Sequence, residues 1–95
     1  MGLSFEWDHQ KEQRNLEKQR VSFIEATTVF GDPFSLTIED PLHSIPGENR
    51  FVIIGLSITT RILIVVHCER GEKIRIISAR IASKNERKTY EKKRK

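Results

Sequence analysis

Residues 61–81, RILIVVHCERGEKIRIISARI, decide the fold of this chain. The unbroken apolar run at 62–66 is typical of a central strand that is covered on both faces. Gly71 supplies the positive φ of a tight turn, so segments 61–69 and 73–81 are predicted to pair as a β-hairpin. Because alternate side chains of a strand share a face, Arg61, His67 and Glu69 are expected on one side and Cys68 on the other.

On the second strand of the hairpin the same alternation predicts two sets of side chains. One set is Arg75, Ile77 and Ala79, and the other is Ile76, Ser78 and Arg80. Which set lies beside His67 depends on the hairpin register, which the sequence does not determine.

The segments around the hairpin predict three more strands and three helices. Residues 3–7, 34–39 and 50–57 have the pattern of strands, and residues 8–18 and 22–30 that of helices. Capping boxes at 22–25 and 83–86 open the second helix and a terminal helix through Tyr90. This order predicts one α+β domain over residues 1–95, with an antiparallel sheet, two N-terminal helices on one face and a C-terminal helix.

Length and composition exclude several classes of protein. A chain of 95 residues, 37% apolar and 32% charged, has room for one modest core and no large cofactor cavity. No apolar stretch approaches the roughly 18 residues of a membrane helix. The single Cys68 excludes an internal disulfide, and we expect a cytoplasmic protein without a membrane partner.

Positive charge is concentrated in two places. Residues 84–95 hold seven basic and two acidic side chains. They form either a tail that binds phosphate or an acidic protein partner, or simply a solvated chain end. Lys11, Arg14 and Lys18 fall on one face of the first predicted helix. They form either a rail for phosphates or a solvated basic stripe.

The hairpin also carries the ingredients of metal-free RNA cleavage. Histidine can move protons near neutrality, and arginine stays charged and grips phosphate with two N–H groups. His67 beside Glu69 and several arginines therefore indicates a candidate catalytic site, although a lone strand histidine is more often a half-buried structural residue. His9, His43 and His67 sit in no ligand spacing, so no metal or other cofactor is expected.

Three segments together resemble the BrnT family of ribonuclease toxins from bacterial type II toxin-antitoxin systems. They are FEWDHQKEQRNLEKQRVSFIEATTVFGDP at 5–33, EDPLHSIPGENRFVIIGLS at 39–57, and RILIVVHCERGEKIRIISARIASKNERKTYE at 61–91. The resemblance implies a RelE-like α+β fold and an endoribonuclease that inhibits translation until a BrnA-type antitoxin neutralises it. It also implies a toxin dimer within the complex, and contact with DNA only through the antitoxin.

These observations together give a hypothesis for the site. The expected roles are proton transfer by His67 assisted by Glu69, and phosphate or transition-state contacts by cations. The proposed catalytic set is His67, Glu69, Arg61 and Arg80, and the proposed RNA-binding set is Arg70, Arg75, Lys11, Arg14 and Lys18. Arg80 has an alternative partner in Glu86 or Glu91 of the terminal helix.

The chain departs from the family pattern at two turns. The family usually has Lys-His-Gly where this chain has Lys18-Gln19-Arg20, and a glycine where Thr60 precedes Arg61. The missing histidine leaves a second hypothesis, a catalytically degenerate module that binds RNA or antitoxin. A DNA-binding protein is disfavoured because no helix-turn-helix pattern is present.

Overall fold

The computed structural model of the chain describes residues 2–40 and 44–94, and it confirms the predicted α+β class. None of the helices in these two ranges is long and apolar enough to cross a membrane. A 3₁₀ turn, Val29–Gly31, follows the second helix. In chain order the elements are β1 (Ser4–Glu6), α1 (His9–Gln19), α2 (Phe23–Thr28), β2 (Leu36–Glu39), β3 (Arg50–Leu56), β4 (Ile62–Arg70), β5 (Lys73–Ile81) and α3 (Lys84–Arg94).

The five strands form one sheet in the order β1-β5-β4-β3-β2, with β4 at the centre. Strands β2 to β5 pair antiparallel, as predicted. The expectation of a wholly antiparallel sheet is wrong for β1, which pairs parallel with β5. A parallel pair needs a long connection, and here the chain between the two strands contains most of the domain. Strand periodicity carries no information about such a distant partner.

A β-bulge in β5 changes which side chains share a face. Val66 of β4 lies opposite Ser78, but the next residue, His67, lies opposite Ile76, so Ile77 is an extra residue. A bulge of this kind shifts the alternation of side chains on the bulged strand by one position.

The predicted alternation on β5 is therefore wrong. Ile76 and Ala79, expected on opposite faces, both lie in the core on the α2 side of the sheet. Arg75, Ser78 and Arg80 lie opposite alternate residues of β4 and share the other face. A sequence cannot show a bulge that contains neither glycine nor proline.

Both faces of the central strand are covered. On one face α2 and the segment before it pack on β3, β4 and β5. On the other face Tyr90 of α3 is fully buried against Ile62 and Ile64, with Ala82 beside it. Residues 62–65 are all buried, which confirms the prediction of a doubly covered strand. The first core consists of Val21, Phe23, Ala26, Val29, Ile53, Leu63, Val65, Ile76 and Ala79.

Helix α1 runs along the edge of the sheet and does not lie on its face. It has no buried residue, and it is held to β5 by a side chain that replaces a strand partner. Asn15 donates from Nδ2 to the carbonyl of Ala79 at 2.9 Å and accepts the N–H of Ala79 at 3.1 Å. The same Nδ2 donates to the carbonyl of Val21 at 2.9 Å. The expectation that two N-terminal helices cover one face is thus corrected, because only α2 does so.

Candidate nucleic-acid interface

His67, the residue expected to transfer protons, is sealed inside the protein. Its exposed fraction is 4%, and its ring packs between Phe30, with centroids 4.8 Å apart, and Phe51, 5.8 Å apart. Burial lowers the pKa of His67, against the weaker opposing effects of a backbone hydrogen bond at Val65 and the charge of Glu69. His67 therefore packs as a neutral ring in this structure and has no open path to a substrate.

Arg61 is engaged by a carboxylate. Its guanidinium binds Glu25 with two N–H groups, Nε reaching Oε2 at 2.9 Å and Nη2 reaching Oε1, while Nη2 also donates to the carbonyl of Arg20 at 3.1 Å. Hydrogen bonds from Arg61, then from Thr59 and Ser57, lower the pKa of Glu25 to about 2 against the opposing effect of burial. Arg61 thereby joins the start of β4 to α2 and the turn before it.

Arg80 forms the alternative contact predicted for it. Its two terminal nitrogens bind the two carboxylate oxygens of Glu86, each at 2.8 Å. Glu86 also accepts the N–H of Ser83 at 2.8 Å, which completes the predicted capping box of α3. These contacts, that of Arg80 foremost, lower the pKa of Glu86 to about 2.

The proposed catalytic set does not converge, so the expected site must be corrected. Arg80 lies opposite Ile64, on the α3 face of the sheet, whereas His67 is in the aromatic layer of the other face. Arg61 lies six residues before His67, about 20 Å along an extended strand. Glu69 is exposed near the end of β4, on the face of His67.

Three residues of the proposed RNA-binding set, in contrast, are brought together. Lys11, Arg14 and Lys18 are exposed and line a groove of about 340 Å³ between α1 and β5. Ile77 and Ser78, at the bulge, form part of its other wall. The groove exists because Asn15 holds α1 along the edge of the sheet, beside the bulge of β5.

A second cationic cluster adjoins this groove on the α3 face of the sheet. Burial, and then the charge of Glu48, raise the pKa of the Cys68 thiol, while the charges of Arg50, Arg70 and Arg75 lower it. In the sheet register Cys68 lies between Arg50 and Arg75, and Arg70 follows two residues along β4 on the same face.

Arg75 lies between the two clusters, because it pairs with Cys68 on one side and with Glu6, just before α1, on the other. The carboxylate of Asp8, whose pKa is lowered chiefly by the N–H groups of Lys11 and Gln10, also feels the charges of Lys11 and Arg75. Arg75 thus lies near the start of α1 as well as near Cys68. We call this surface the basic track, made of Lys18, Arg14, Lys11, Arg75 and Arg70.

Sequence reasoning missed two further cations beside the track. Arg50 pairs with Cys68 in the sheet register and forms an ion pair with Glu48 at 3.3 Å, and Lys73 pairs with Arg70. Because Val52 and Ile54 lie on the α3 face, alternation along β3 places Arg50 on that face too. This signal becomes useful once the pairing of β3 with β4 is known.

The side chains that could bind a metal ion are those of His, Cys, Asp and Glu. Within residues 2–40 and 44–94 there is no group of three His, Cys, Asp or Glu side chains able to hold a metal ion, and His43 lies outside those ranges. The described part of the chain thus offers cations for phosphate and no assembled set of metal ligands.

Comparisons with known proteins bear on the family and the fold. The family model described as "Ribonuclease toxin, BrnT, of type II toxin-antitoxin system" matches residues 7–86. The crystal structure of the Brucella abortus ribonuclease toxin BrnT superposes with a TM-score of 0.68 at 21% identity, covering 87% of this chain and 100% of that one. That similarity supports the fold. No curated protein matches the sequence.

Proposed function

The chain belongs to the BrnT family of ribonuclease toxins of type II toxin-antitoxin systems, and on this premise we propose that its basic track binds RNA for cleavage. The observation that carries the proposal is the groove lined by three cations of α1, with Arg75 and Arg70 placed between its helix and the hairpin tip by the sheet register. Phosphate contacts supply most of the affinity of such surfaces and leave them tolerant of sequence.

The open shape of the track favours single-stranded RNA. The groove is a shallow channel between a helix and a strand edge, which suits an extended backbone with splayed bases better than a rigid duplex. Neutralising five phosphates on a single strand gives a salt dependence of log K of roughly −3.5 against log salt.

The proposed reaction is metal-independent endonucleolytic cleavage. The RNA 2′-hydroxyl attacks the adjacent phosphorus, so the nucleophile belongs to the substrate and the protein supplies proton transfer and positive charge. Arg75 and Arg70 are the arginines of the track that lie on the sheet, and a guanidinium matches the oxygens of the pentacoordinate phosphorus with two N–H groups. Cleavage of cytoplasmic messages in this way inhibits translation.

Neutralisation follows from the family. Type II systems pair a toxin with a protein antitoxin, and we assign a BrnA-type antitoxin that covers the track, two copies binding a toxin dimer. DNA is contacted through that antitoxin. The same proposal places the α+β fold among the RelE-like domains.

The test is cleavage of a labelled single-stranded RNA by purified protein in EDTA. Changing Lys11, Arg14 and Lys18 together to Gln removes three cations of the track. We expect cleavage at limiting RNA to fall at least 30-fold. The matched control changes three exposed cations of α3 and therefore has the same net charge as the track variant: R87Q, K88Q and K92Q. An equal loss of cleavage in both triple variants would refute the role of the track, because net charge alone would then explain the effect.

A second candidate function has a specific observation in its favour. Because His67 is sealed and Arg61 and Arg80 are bound by Glu25 and Glu86, the catalytic set expected from sequence is not assembled. A degenerate module that binds RNA or antitoxin would show this geometry. It predicts a folded wild-type protein that binds RNA, yet cleaves none and leaves growth unaffected in cells that lack the antitoxin.

A further inference from the structure

A hollow at the start of α1 adjoins the basic track but contains other chemistry. It has a volume of about 280 Å³ and is lined by Phe5, Glu6, Trp7 and His9. This volume is near the lower end of small-molecule sites, which is about 300 Å³, and suits one nucleotide unit. Glu6 pairs with Arg75 in the sheet register, so the hollow borders the middle of the track.

Two of the four lining residues can move protons. His9 is exposed, and of the two histidines that the structure describes it is the accessible one. An imidazole and a carboxylate form a general acid-base pair if both reach the substrate. Both residues line the same hollow, unlike His67 and Arg80 of the sequence hypothesis.

The neighbouring carboxylates are committed to other contacts. Asp8 Oδ1 accepts the N–H groups of Gln10 at 2.8 Å and Lys11 at 3.2 Å, which caps α1. Glu12 accepts Trp7 Nε1 at 3.1 Å and the N–H of Phe23 at 3.2 Å. Glu6 is therefore the carboxylate that the hollow presents to a ligand.

The two aromatic residues of the hollow are held firmly. Phe5 packs edge-on to Phe30 with centroids 5.1 Å apart, and Trp7 packs edge-on to Phe23 at 6.1 Å. Both rings are half-buried, so each keeps some surface toward solvent. Single-stranded RNA is commonly bound by stacking of bases on such anchored rings.

We propose that this hollow is the catalytic end of the basic track, with Glu6 as general base and His9 as general acid. The proposal rests on the proposed cleavage of RNA. Glu6 takes the proton of the 2′-hydroxyl as the bond from the 2′-oxygen to phosphorus forms. The bond from phosphorus to the 5′-oxygen breaks, and protonated His9 gives its proton to that oxygen. The products are a 2′,3′-cyclic phosphate and a 5′-hydroxyl, and water returns the two catalytic groups to their starting forms.

Several charged groups lie in or beside the hollow that contains His9. Glu6 of β1 lies in the same hollow, Asp8 and Glu12 lie on either side along the chain, and Arg75 of β5 adjoins Glu6. Cleavage by the wild type should rise with pH as the base ionises and fall as the acid loses its proton. The profile of kcat is therefore bell-shaped.

The experiment measures kcat and KM on a short fluorescent RNA across pH for E6Q, H9Q and the control Q10A. We expect kcat to fall about 100-fold or more in E6Q and H9Q, with KM nearly unchanged. Gln10 is exposed and lies outside the hollow, so Q10A should match wild type. A substrate with sulfur as the 5′ leaving atom needs no general acid, and should restore cleavage by H9Q but not by E6Q.

Three results would overturn the proposal. If E6Q and H9Q cleave with the wild-type kcat and pH profile, the hollow is not catalytic while the RNase function stands. If H9Q is impaired but the sulfur substrate restores nothing, His9 is not the acid. If the wild type itself binds RNA without ever cleaving it, both this proposal and the proposed function fail. Thermal melts of each variant separate chemical loss from unfolding.

Discussion

Arg20 and Thr60 adopt positive φ values, 59° and 65°, and are the non-glycine residues that do so within residues 2–40 and 44–94. They occupy the two turn positions where the resemblance to the family expects glycine. Arg20 is the C-cap of α1, a position that glycine favours because it has no Cβ. Thr60 is β-branched, for which this region of backbone conformation is a genuine outlier.

Changing either residue to Gly should therefore stabilise the protein. A left-handed backbone costs a residue with a Cβ about 1–2 kcal/mol. Glycine offsets part of this gain because the unfolded chain becomes more flexible, by about 0.4–1 kcal/mol. The net gain is roughly 0.5–1 kcal/mol for each substitution. Both side chains are exposed, so little packing is lost.

The assay is equilibrium unfolding in urea, followed by far-UV circular dichroism, for R20G, T60G and the double variant. In a chain of this size each kcal/mol raises Tm by about 4–8 °C. Since Arg61 donates to the carbonyl of Arg20 and adjoins Thr60, the two changes can couple and the singles are measured first. The control is Q13G in the middle of α1, which should lose about 1 kcal/mol. Losses in R20G and T60G equal to that of Q13G would refute the reasoning.

Four further predictions concern Asn15, His67 and Glu25. Asn15→Ala should lower the free energy of unfolding by about 2–3 kcal/mol and weaken RNA binding, because Ala79 loses both its partners at the sheet edge; calorimetry and anisotropy check this. His67→Ala should destabilise by about 2–4 kcal/mol while the folded fraction keeps its kcat, and an equal loss of kcat would return His67 to the active site. In the wild type, the free energy of unfolding should decline as pH falls below 6.5, the ordinary pKa of histidine. Burial lowers the pKa of His67 in the folded state, so the unfolded chain binds the proton first. Urea titrations that give the same free energy of unfolding from pH 7 to 5 would contradict this. Glu25→Gln should lower the free energy of unfolding by about 1–2 kcal/mol at pH 7. This is less than the pKa shift alone suggests, because the side chain of its partner Arg61 is a third exposed. The difference from the wild type should vanish as pH falls from about 4.5 toward 2 and Glu25 becomes protonated.

The features that sequence predicted correctly are those with local signals. The apolar run of β4, the turn at Gly71 and the capping box at Ser83 each depend on residues a few positions apart. At Ser22 the predicted box is only half formed, because Ser22 Oγ accepts the N–H of Glu25 while the Glu25 carboxylate binds Arg61. The three cations of α1 are likewise set by the helical period. Their groove with β5 needs only the helix to lie along that strand.

The features that sequence missed depend on distant parts of the chain. Arg61 is 36 positions from Glu25, so nothing in the strand pattern shows that its charge is engaged. His67 is enclosed by Phe30 and Phe51, which come from two other segments. The bulge at Ile77 then moved Arg80 away from the face on which a histidine site would need it.

The most direct measurement of the central claim is a crosslinking map. A single-stranded RNA carrying photoreactive uridines is bound to the wild-type protein, irradiated and digested, and the modified peptides are identified by mass spectrometry. If the hollow and the basic track bind RNA, the crosslinks should fall in residues 5–19 and 70–78, which contain them. Crosslinks confined to α3, or spread evenly over every basic segment, would contradict it.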